Sequence, residues 1–271
     1  MSLPVILALV DPANGAATLK LAGLASDILN AAVDAIVIKP DPRDSIPAIA
    51  EAMTGDMITQ IMASTEAAGA ERAVAVRALY DAAPPGKTAA FIEVVGREDF
   101  VIASEGRARA LTVLPSSDTR DGDTLAIGAA LFETGRPALI APPQAVESVG
   151  KRVAIFWKDS KEAAAAVWAS VPFLRQAELV KVLTVGDDAM SAASLERIGA
   201  GLLRAGVITE REMISPKGGI DTDLLVDAAT SMDADLIVMG AYSRSRIREQ
   251  IFGGVTQDML ETLARPVLMS H

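Results

Sequence analysis

Short apolar runs alternate with longer stretches in which apolar residues recur at helical spacing. In the second half of the chain, this pattern predicts five strands separated by four helices. The strands are RVAIFW, LVKVLTV, TEREMIS, DLIVMG and PVLMS, and the helices are SKEAAAAVWASVPFL, SAASLERIGAGLLRAG, TDLLVDAATSMDA and GVTQDMLETLA. Ser160 is predicted to cap the first helix and Gly206 to end the second. Strands that alternate with helices of this length predict right-handed crossovers and a parallel sheet with helices on both faces.

The first half of the chain repeats the same order of elements. Its predicted strands are VILALV, AIVIK, AAFIEVV, ALTVL and ALIA. Both halves also end in Arg-Pro followed by a short apolar strand, in GRPALIAPP and ARPVLMSH. A repeat of this length indicates two domains, which we place at residues 1–145 and 151–271, on either side of the Pro-containing linker APPQAVESVGK. The predicted fold class is α/β, with two similar doubly wound, open, parallel five-stranded sheets flanked by helices.

One connection differs between the two repeats. Between the second and third strands of the first repeat lie residues 40–87, more than the matching connection of the second repeat contains. The extra length predicts one or two additional helical turns followed by a long helix.

Composition and charge exclude several classes of protein. The chain has 35 acidic and 25 basic residues, which argues against general nucleic-acid binding. It has no cysteine and a single histidine, so thiol chemistry, a histidine-rich metal site and a Ser-His-Asp triad are excluded. No apolar run is long enough to span a bilayer. The apolar start lacks the basic segment of a signal peptide, so we expect a cytoplasmic protein with no membrane partner.

Positive charge is concentrated in one segment of this acidic chain, MGAYSRSRIREQIFGGVTQDML. The segment follows the predicted strand DLIVMG at Gly240 and reaches Gly253 and Gly254 where the next helix is predicted to begin. Free main-chain N–H groups at a helix start favour phosphate, and glycine lets a ligand approach closely. Arg244, Arg246 and Arg248 supply charge, and Thr256 a hydroxyl. The alternative is an ordinary surface turn covered by arginines.

The other candidate residues have simpler interpretations. Lys217 lies after the third strand of the second repeat, at the same predicted edge of the sheet. We predict that it is a second contact for the phosphate. Asp187 and Asp188 are expected in a solvated loop, with contact to a ribose or a Mg ion as the alternative. Trp157 and Trp168 are expected in core or interface packing, with stacking on a base as the alternative, and His271 is expected at the surface. We predict neither catalytic residues nor a metal site.

The second repeat resembles a universal stress protein domain over almost all its length. That family carries an ATP-binding signature of Gly, two residues, Gly, nine residues, Gly, then Ser or Thr. Here the matching positions are Gly240, Ser243, Gly253 and Gly254, so the nine-residue spacing is kept while the second Gly is Ser and the final Ser/Thr is Gly. The doubled chain is similar to tandem members of the family. The resemblance implies a fold of the adenine nucleotide alpha hydrolase type, with the two domains packed as a pseudo-dimer.

The resemblance also implies a ligand, ATP or AMP, with Mg as a possible companion ion. The implied binding residues are Gly240, Ser243, Arg244, Gly253, Gly254, Val255, Thr256, Asp159 and Lys217. The family places an Asp at the end of its first strand, whereas this chain has Lys158 there and Asp159 one position later. The first repeat keeps Asp11 but lacks the phosphate-binding spacing after its fourth strand, so we expect it to bind no nucleotide.

Three functions remain open at this point. The first is a stress-response or signalling protein that holds an adenine nucleotide in its second domain and hydrolyses it slowly at most. The second is a module that binds no nucleotide and acts through protein surfaces as a homodimer. The third is an enzyme of the wider superfamily, although we find no second pocket with clustered acid and base groups.

Overall fold

Two units make up the chain, Met1–Arg136 and Pro137–His271. They are seen in a computed structural model that describes residues 3–46, 53–86, 88–116, 124–216, 221–241 and 265–271. The unit boundary falls between Arg136 and Pro137, before the last strand of the first repeat. The repeat limits 1–145 and 151–271, and the pseudo-dimer packing, stay predictions.

The first unit is a parallel sheet in the order β3-β2-β1-β4. Apart from a short 3₁₀ turn, its elements alternate between strand and helix. They are β1 (Val5–Leu9), α1 (Gly15–Leu29), β2 (Ala32–Lys39), the 3₁₀ turn (Pro42–Ser45), α2 (Gly55–Ala82), β3 (Thr88–Val95), α3 (Glu98–Arg107), β4 (Leu111–Pro115) and α4 (Thr124–Glu133). Strands β1, β2 and β4 are almost wholly buried, as the apolar runs predict for strands covered on both faces.

The second unit has the strand order β5-β10-β9-β6-β7-β8. Its described elements are β5 (Ala138–Ala141), β6 (Arg152–Phe156), α5 (Lys161–Leu174), β7 (Leu179–Val185), α6 (Ala189–Arg204), β8 (Glu210–Ile214), α7 (Asp221–Ser231), β9 (Leu236–Gly240) and β10 (Val267–Ser270). All neighbours pair in parallel except β5 and β10, which are antiparallel. The last strands of the two repeats therefore pair with each other, and the α/β class with parallel sheets flanked by helices is confirmed. No helix of the described stretches is both long and apolar enough to cross a membrane.

The long connection of the first repeat contains the predicted extra turn and the long helix. The extra turn is the 3₁₀ segment, in which the Asp41 carboxylate accepts the backbone N–H of Arg43 at 2.9 Å. Helix α2 has 28 residues and begins after Thr54, whose hydroxyl accepts the N–H of Met57. Its buried residues, Gly69, Ala73 and Val76, lie on one face because they are spaced by four and three positions.

A charged cluster joins strand β2 to the start of strand β4 in the first unit. The Arg109 guanidinium donates to Oδ2 of Asp34 at 2.9 Å, and it also donates to the carboxylate and backbone carbonyl of Glu105. Asp34 is 8% exposed, so Arg109 replaces hydrogen bonds that this carboxylate could otherwise make with water. The two carboxylates raise the pKa of Arg109 even though burial opposes the shift most strongly.

We expect Asp34→Ala to lower the free energy of unfolding by about 2 to 3 kcal/mol, because it removes charged hydrogen bonds from a partly buried arginine. Urea unfolding followed by circular dichroism measures the change. Asp81→Ala is the matched control, since Asp81 pairs with Arg77 in an exposed contact between residues four apart on a helix. Equal losses in the two variants would contradict a stabilising role for the Arg109 cluster.

Candidate functional site

In the second unit, the strand order reverses between β6 and β9, and we call the sheet edge at their carboxyl ends the crevice. The chain runs from β6 through β7 to β8 on one side of the sheet, then returns to form β9 on the other side of β6. In open parallel sheets, ligands bind where the strand order reverses in this way. This edge includes the turn after β6, the start of α5 and Gly240 at the end of β9.

Gly240 has a specific packing role at this edge. A Cβ atom at Gly240 would lie 2.7 Å from the carbonyl carbon of Glu162, and closer still to the backbone nitrogen of Ala163. Main-chain atoms cannot give way as a flexible side chain can. The absence of a side chain therefore lets the first turn of α5 pack directly against the end of β9.

The first turn of α5 is capped at the same edge. Ser160 is the N-cap, as predicted, and its hydroxyl accepts the N–H of Ala163 at 3.2 Å. The Glu162 carboxylate accepts its own backbone N–H, which lowers the pKa of Glu162 against the opposing effect of burial. The Ser160 hydroxyl and the charges of Lys161 and His271 lower it further. Negative charge in a first helical turn is favourable, because the helix dipole is positive there.

His271 lies closer to this site than its terminal position suggests. Its Nε2 is 4.0 Å from Oε1 of Glu162, and its side chain is 28% exposed. The sequence predicts only a surface histidine, and the contact with Glu162 could not be anticipated from the sequence. The sequence signal that does point to Glu162 is an acidic residue in the first turn after a serine cap, where the helix dipole favours negative charge.

Asp159 is placed at the crevice but already has a partner. Its carboxylate accepts a hydrogen bond at 2.7 Å from Arg197 of α6, and both side chains are more than 60% exposed. Lys158, which occupies the position of the family's aspartate, is also exposed. An exposed pair of this kind contributes little stability, so a ligand could displace Arg197 at low cost.

Most of the predicted phosphate-binding residues lie outside the described residues. They are Ser243, Arg244, Gly253, Gly254, Val255, Thr256 and Lys217. Arg246 and Arg248 and the predicted fourth helix lie outside them too. Of the predicted binding residues, the structure therefore describes Gly240 and Asp159, which both lie at this edge of the sheet.

The remaining candidates have structural surroundings. Trp157 follows β6 and is buried, and its indole N–H donates to the Ser194 hydroxyl at 3.0 Å. Trp168 is 49% exposed, and a Cβ atom at Gly201 of α6 would lie 3.5 Å from its ring, so this residue lies outside the core and its packing at an interface stays a prediction. Asp188 caps α6 by accepting the N–H of Ser191 at 2.8 Å. This residue therefore has a structural role at the end of the predicted loop. Among the described residues, no group of His, Asp and Glu side chains is arranged to hold a metal ion.

Comparison with known protein families gives a match within the second unit. Residues 159–271 match the model of the universal stress protein family. These residues form a universal stress protein domain. The match begins at Asp159 in the turn before α5 and continues to His271, so it includes Gly240 and the basic segment that follows it in the sequence.

Solved structures extend the likeness to both units. A universal stress protein from Archaeoglobus fulgidus is 15% identical, with a TM-score of 0.70, and the alignment covers 98% of this chain and 95% of that one. A putative universal stress protein from Pseudomonas aeruginosa is also 15% identical, with a TM-score of 0.59 and coverage of 98% and 92%. At this identity the likeness shows the fold alone. No curated relative matches the sequence.

We expect Gly240→Ala to destabilise the universal stress protein domain by about 2 kcal/mol, because the added methyl group overlaps the backbone of α5. Thermal and urea unfolding measure the loss. Gly55→Ala is the control, since a Cβ there meets nothing within 4 Å and alanine favours the helix. A Gly240→Ala variant as stable as the wild type would contradict the close approach of α5 to β9.

The lowered pKa of Glu162 predicts a pH-dependent contribution to stability. A carboxyl group whose pKa is lower in the folded state stabilises the fold above its unfolded pKa, and this contribution disappears as the pH falls through the folded value. We therefore expect Glu162→Gln to be less stable than the wild type at pH 7, with a difference that shrinks from about pH 5 downwards. Urea unfolding across that range measures it. A difference independent of pH would show that the ionised carboxylate is not responsible.

Proposed function

We propose that the universal stress protein domain binds one adenine nucleotide, ATP or AMP, and serves a stress-response or signalling role. The observation that carries the proposal is the family match, which includes both the turn before α5 and the basic glycine loop. The loop keeps the nine-residue spacing between Ser243 and Gly253. Its two adjacent glycines provide main-chain N–H groups that side chains would otherwise cover.

The described part of the edge supports the same location. The order reversal between β6 and β9 is where an open parallel sheet accepts a ligand. Gly240 brings the capped start of α5 against the end of β9, so the turn that holds Asp159 lies near the point at which the basic segment begins in the sequence. The phosphates are assigned to the loop from Ser243 to Thr256 with Arg244, and to Lys217, while Asp159 is assigned to the ribose. Mg could accompany the phosphates.

The test is calorimetric titration of the full chain with ATP and AMP at about 1 mM, together with native mass spectrometry. We expect one nucleotide per chain. The double variant Gly253→Leu with Gly254→Leu should abolish binding, because the new side chains cover the backbone N–H groups. Gly55→Leu is the matched control, as its Cβ points into open space, and it should bind as the wild type does.

A second candidate function is a protein-interaction module that acts as a homodimer without a nucleotide. The observation that favours it is the engagement of Asp159 with Arg197, together with the exposed Lys158 in place of the family's aspartate. Absence of binding by both nucleotides at about 1 mM, with a concentration-dependent dimer in sedimentation experiments, would select this function over the first.

A further inference from the structure

Helices α5 and α6 lie side by side in the second unit and run in the same direction. A Cβ atom at Gly201 of α6 would lie 3.5 Å from the ring of Trp168 on α5. Further along both helices, the Arg175 guanidinium donates through Nε to the backbone carbonyl of Ala205 at 2.9 Å. We call the surface made by Trp168, Arg175, Gly201 and Arg204 the helix seam. All four residues lie within 124–216, which the structure describes without a gap.

Trp168 is the exposed apolar centre of the helix seam. Its side chain is 49% exposed, which leaves on the order of 100 Å² of mostly apolar surface in water. Ala164 and Val171 are also partly exposed, and their spacing of four and three residues from Trp168 places them on the same face of α5. Because residue 201 is glycine, no side chain from that position covers the ring. An apolar side chain of a partner fits the same space.

Two arginines lie beyond the tryptophan at one end of the helix seam. Arg204 is three residues after Gly201 and Arg175 is seven after Trp168, so each shares a helix face with the residue before it. Within the part of the chain that the structure describes, Arg204 makes no hydrogen bond or ion pair, and Arg175 has no acidic partner. Both lie at the carboxyl ends of helices, where the helix dipole favours positive charge. Their terminal nitrogens are therefore available to an external acceptor.

The helix seam is positive although the chain as a whole is acidic. The chain has 35 acidic and 25 basic residues, yet neither helix face that borders the seam carries an acidic one. The residues on these two faces are Lys161, Ala164, Trp168, Val171 and Arg175 of α5, and Arg197, Gly201 and Arg204 of α6. A patch whose sign opposes the net charge favours a negatively charged partner, because complementary potentials steer association.

Charge also decides between the possible negative partners. A second copy that met this surface through a two-fold axis would place its own arginines against these, and like charges would repel. A nucleic acid carries about one charge per 1.7 Å of duplex, so the net charge of -10 repels it over a long range. A short acidic segment of another protein carries few charges and also provides an apolar side chain for Trp168.

The spacing of the helix seam restricts the sequence of that segment. An α-helix rises about 1.5 Å per residue, so Arg175 lies about 10 Å along α5 from Trp168, and Arg204 about 4.5 Å along α6 from Gly201. An extended peptide advances about 3.3 Å per residue. Acidic residues two and three positions away from an apolar residue therefore match the two guanidinium groups.

We propose that the helix seam docks an extended acidic segment of a partner protein. An apolar side chain of the segment packs on Trp168 beside Gly201, and its two carboxylates accept hydrogen bonds from Arg204 and Arg175. The assignment does not depend on the nucleotide site. The double variant Gly253→Leu with Gly254→Leu should therefore dock the segment as the wild type does, whether or not either protein binds ATP.

The test is titration of the full chain with the peptide acetyl-Gly-Leu-Ser-Glu-Glu-Gly-amide, up to about 5 mM, followed by tryptophan fluorescence and calorimetry. We expect a Kd of about 1 mM or below and a shift in the emission of Trp168. Trp157 contributes a constant background, since it is buried and bonded to Ser194. The same peptide with glutamine in place of both glutamates should bind at least about tenfold more weakly, because it loses the charge-assisted hydrogen bonds.

Matched variants of the protein locate the binding. Arg204→Gln and Arg175→Gln should each weaken peptide binding at least about fivefold. Arg107→Gln is the control, since Arg107 also lies at a helix end and donates through Nε to a backbone carbonyl, that of Glu133 at 2.8 Å. Its binding should match the wild type. Trp168→Ala should weaken binding by a similar factor in calorimetry, while Phe100→Ala, which changes a side chain that is 65% exposed, should not.

Several results would overturn the proposal. They are no binding of the glutamate peptide at about 5 mM, equal binding of the glutamine peptide, and unchanged binding by either arginine variant when circular dichroism shows that it is folded. Tighter binding of hexathymidylate than of the peptide would assign the helix seam to nucleic acid instead. A dimer in sedimentation experiments that Trp168→Ala dissociates, with no peptide binding, would assign it to a second copy of the chain.

Discussion

Burial of the parallel strands on both faces is the constraint on which the rest of the structure depends. In β1, β4, β6 and β9, nearly every residue is buried, so these strands have no free face on which to carry polar chemistry. Functional groups are consequently confined to the strand ends, the turns and the helices. The same burial explains why Gly240 lacks a side chain, since the end of β9 must accept the backbone of α5 at close range.

Most strands and helices could be predicted from the sequence because each buried strand corresponds to one short apolar run. Apolar runs such as DLIVMG and VILALV correspond to β9 and β1, and Ser160 caps α5 as its position before an Ala-rich helix indicates. The long connection after β2 was also predictable from its length alone. Strand β8 is different: four of its five residues are exposed, and its place at the edge of the sheet is a property of topology that its sequence does not contain.

The sites were only partly predictable, for a physical reason. Motif spacing located Gly240 and Asp159 at the crevice edge, but spacing does not report which side chains from distant elements will meet. The Asp159–Arg197 pair joins residues 38 positions apart, and His271 meets Glu162 across an even longer separation. Part of the helix seam could have been found in the sequence, because Trp168 and Arg175 are seven residues apart and therefore lie on one face of α5. Their meeting with α6 depends on how the two helices pack, which that spacing does not report.

Each unit has one reversal of strand order, between β6 and β9 in the second unit and between β1 and β4 in the first, and different residues border the two positions. In the second unit, the sheet edge at this reversal is bordered by a capped helix start and a glycine contact, and the candidate cations Arg244 and Lys217 lie outside the described residues. In the first unit, a 28-residue helix crosses the corresponding region and contributes its own arginine. A helix holds a side chain more rigidly than a loop does, and Gly69, Ala73 and Val76 anchor α2 next to Arg72. The insertion that distinguishes the first repeat thus supplies a fixed positive charge at a position where its own strands, being apolar, could not.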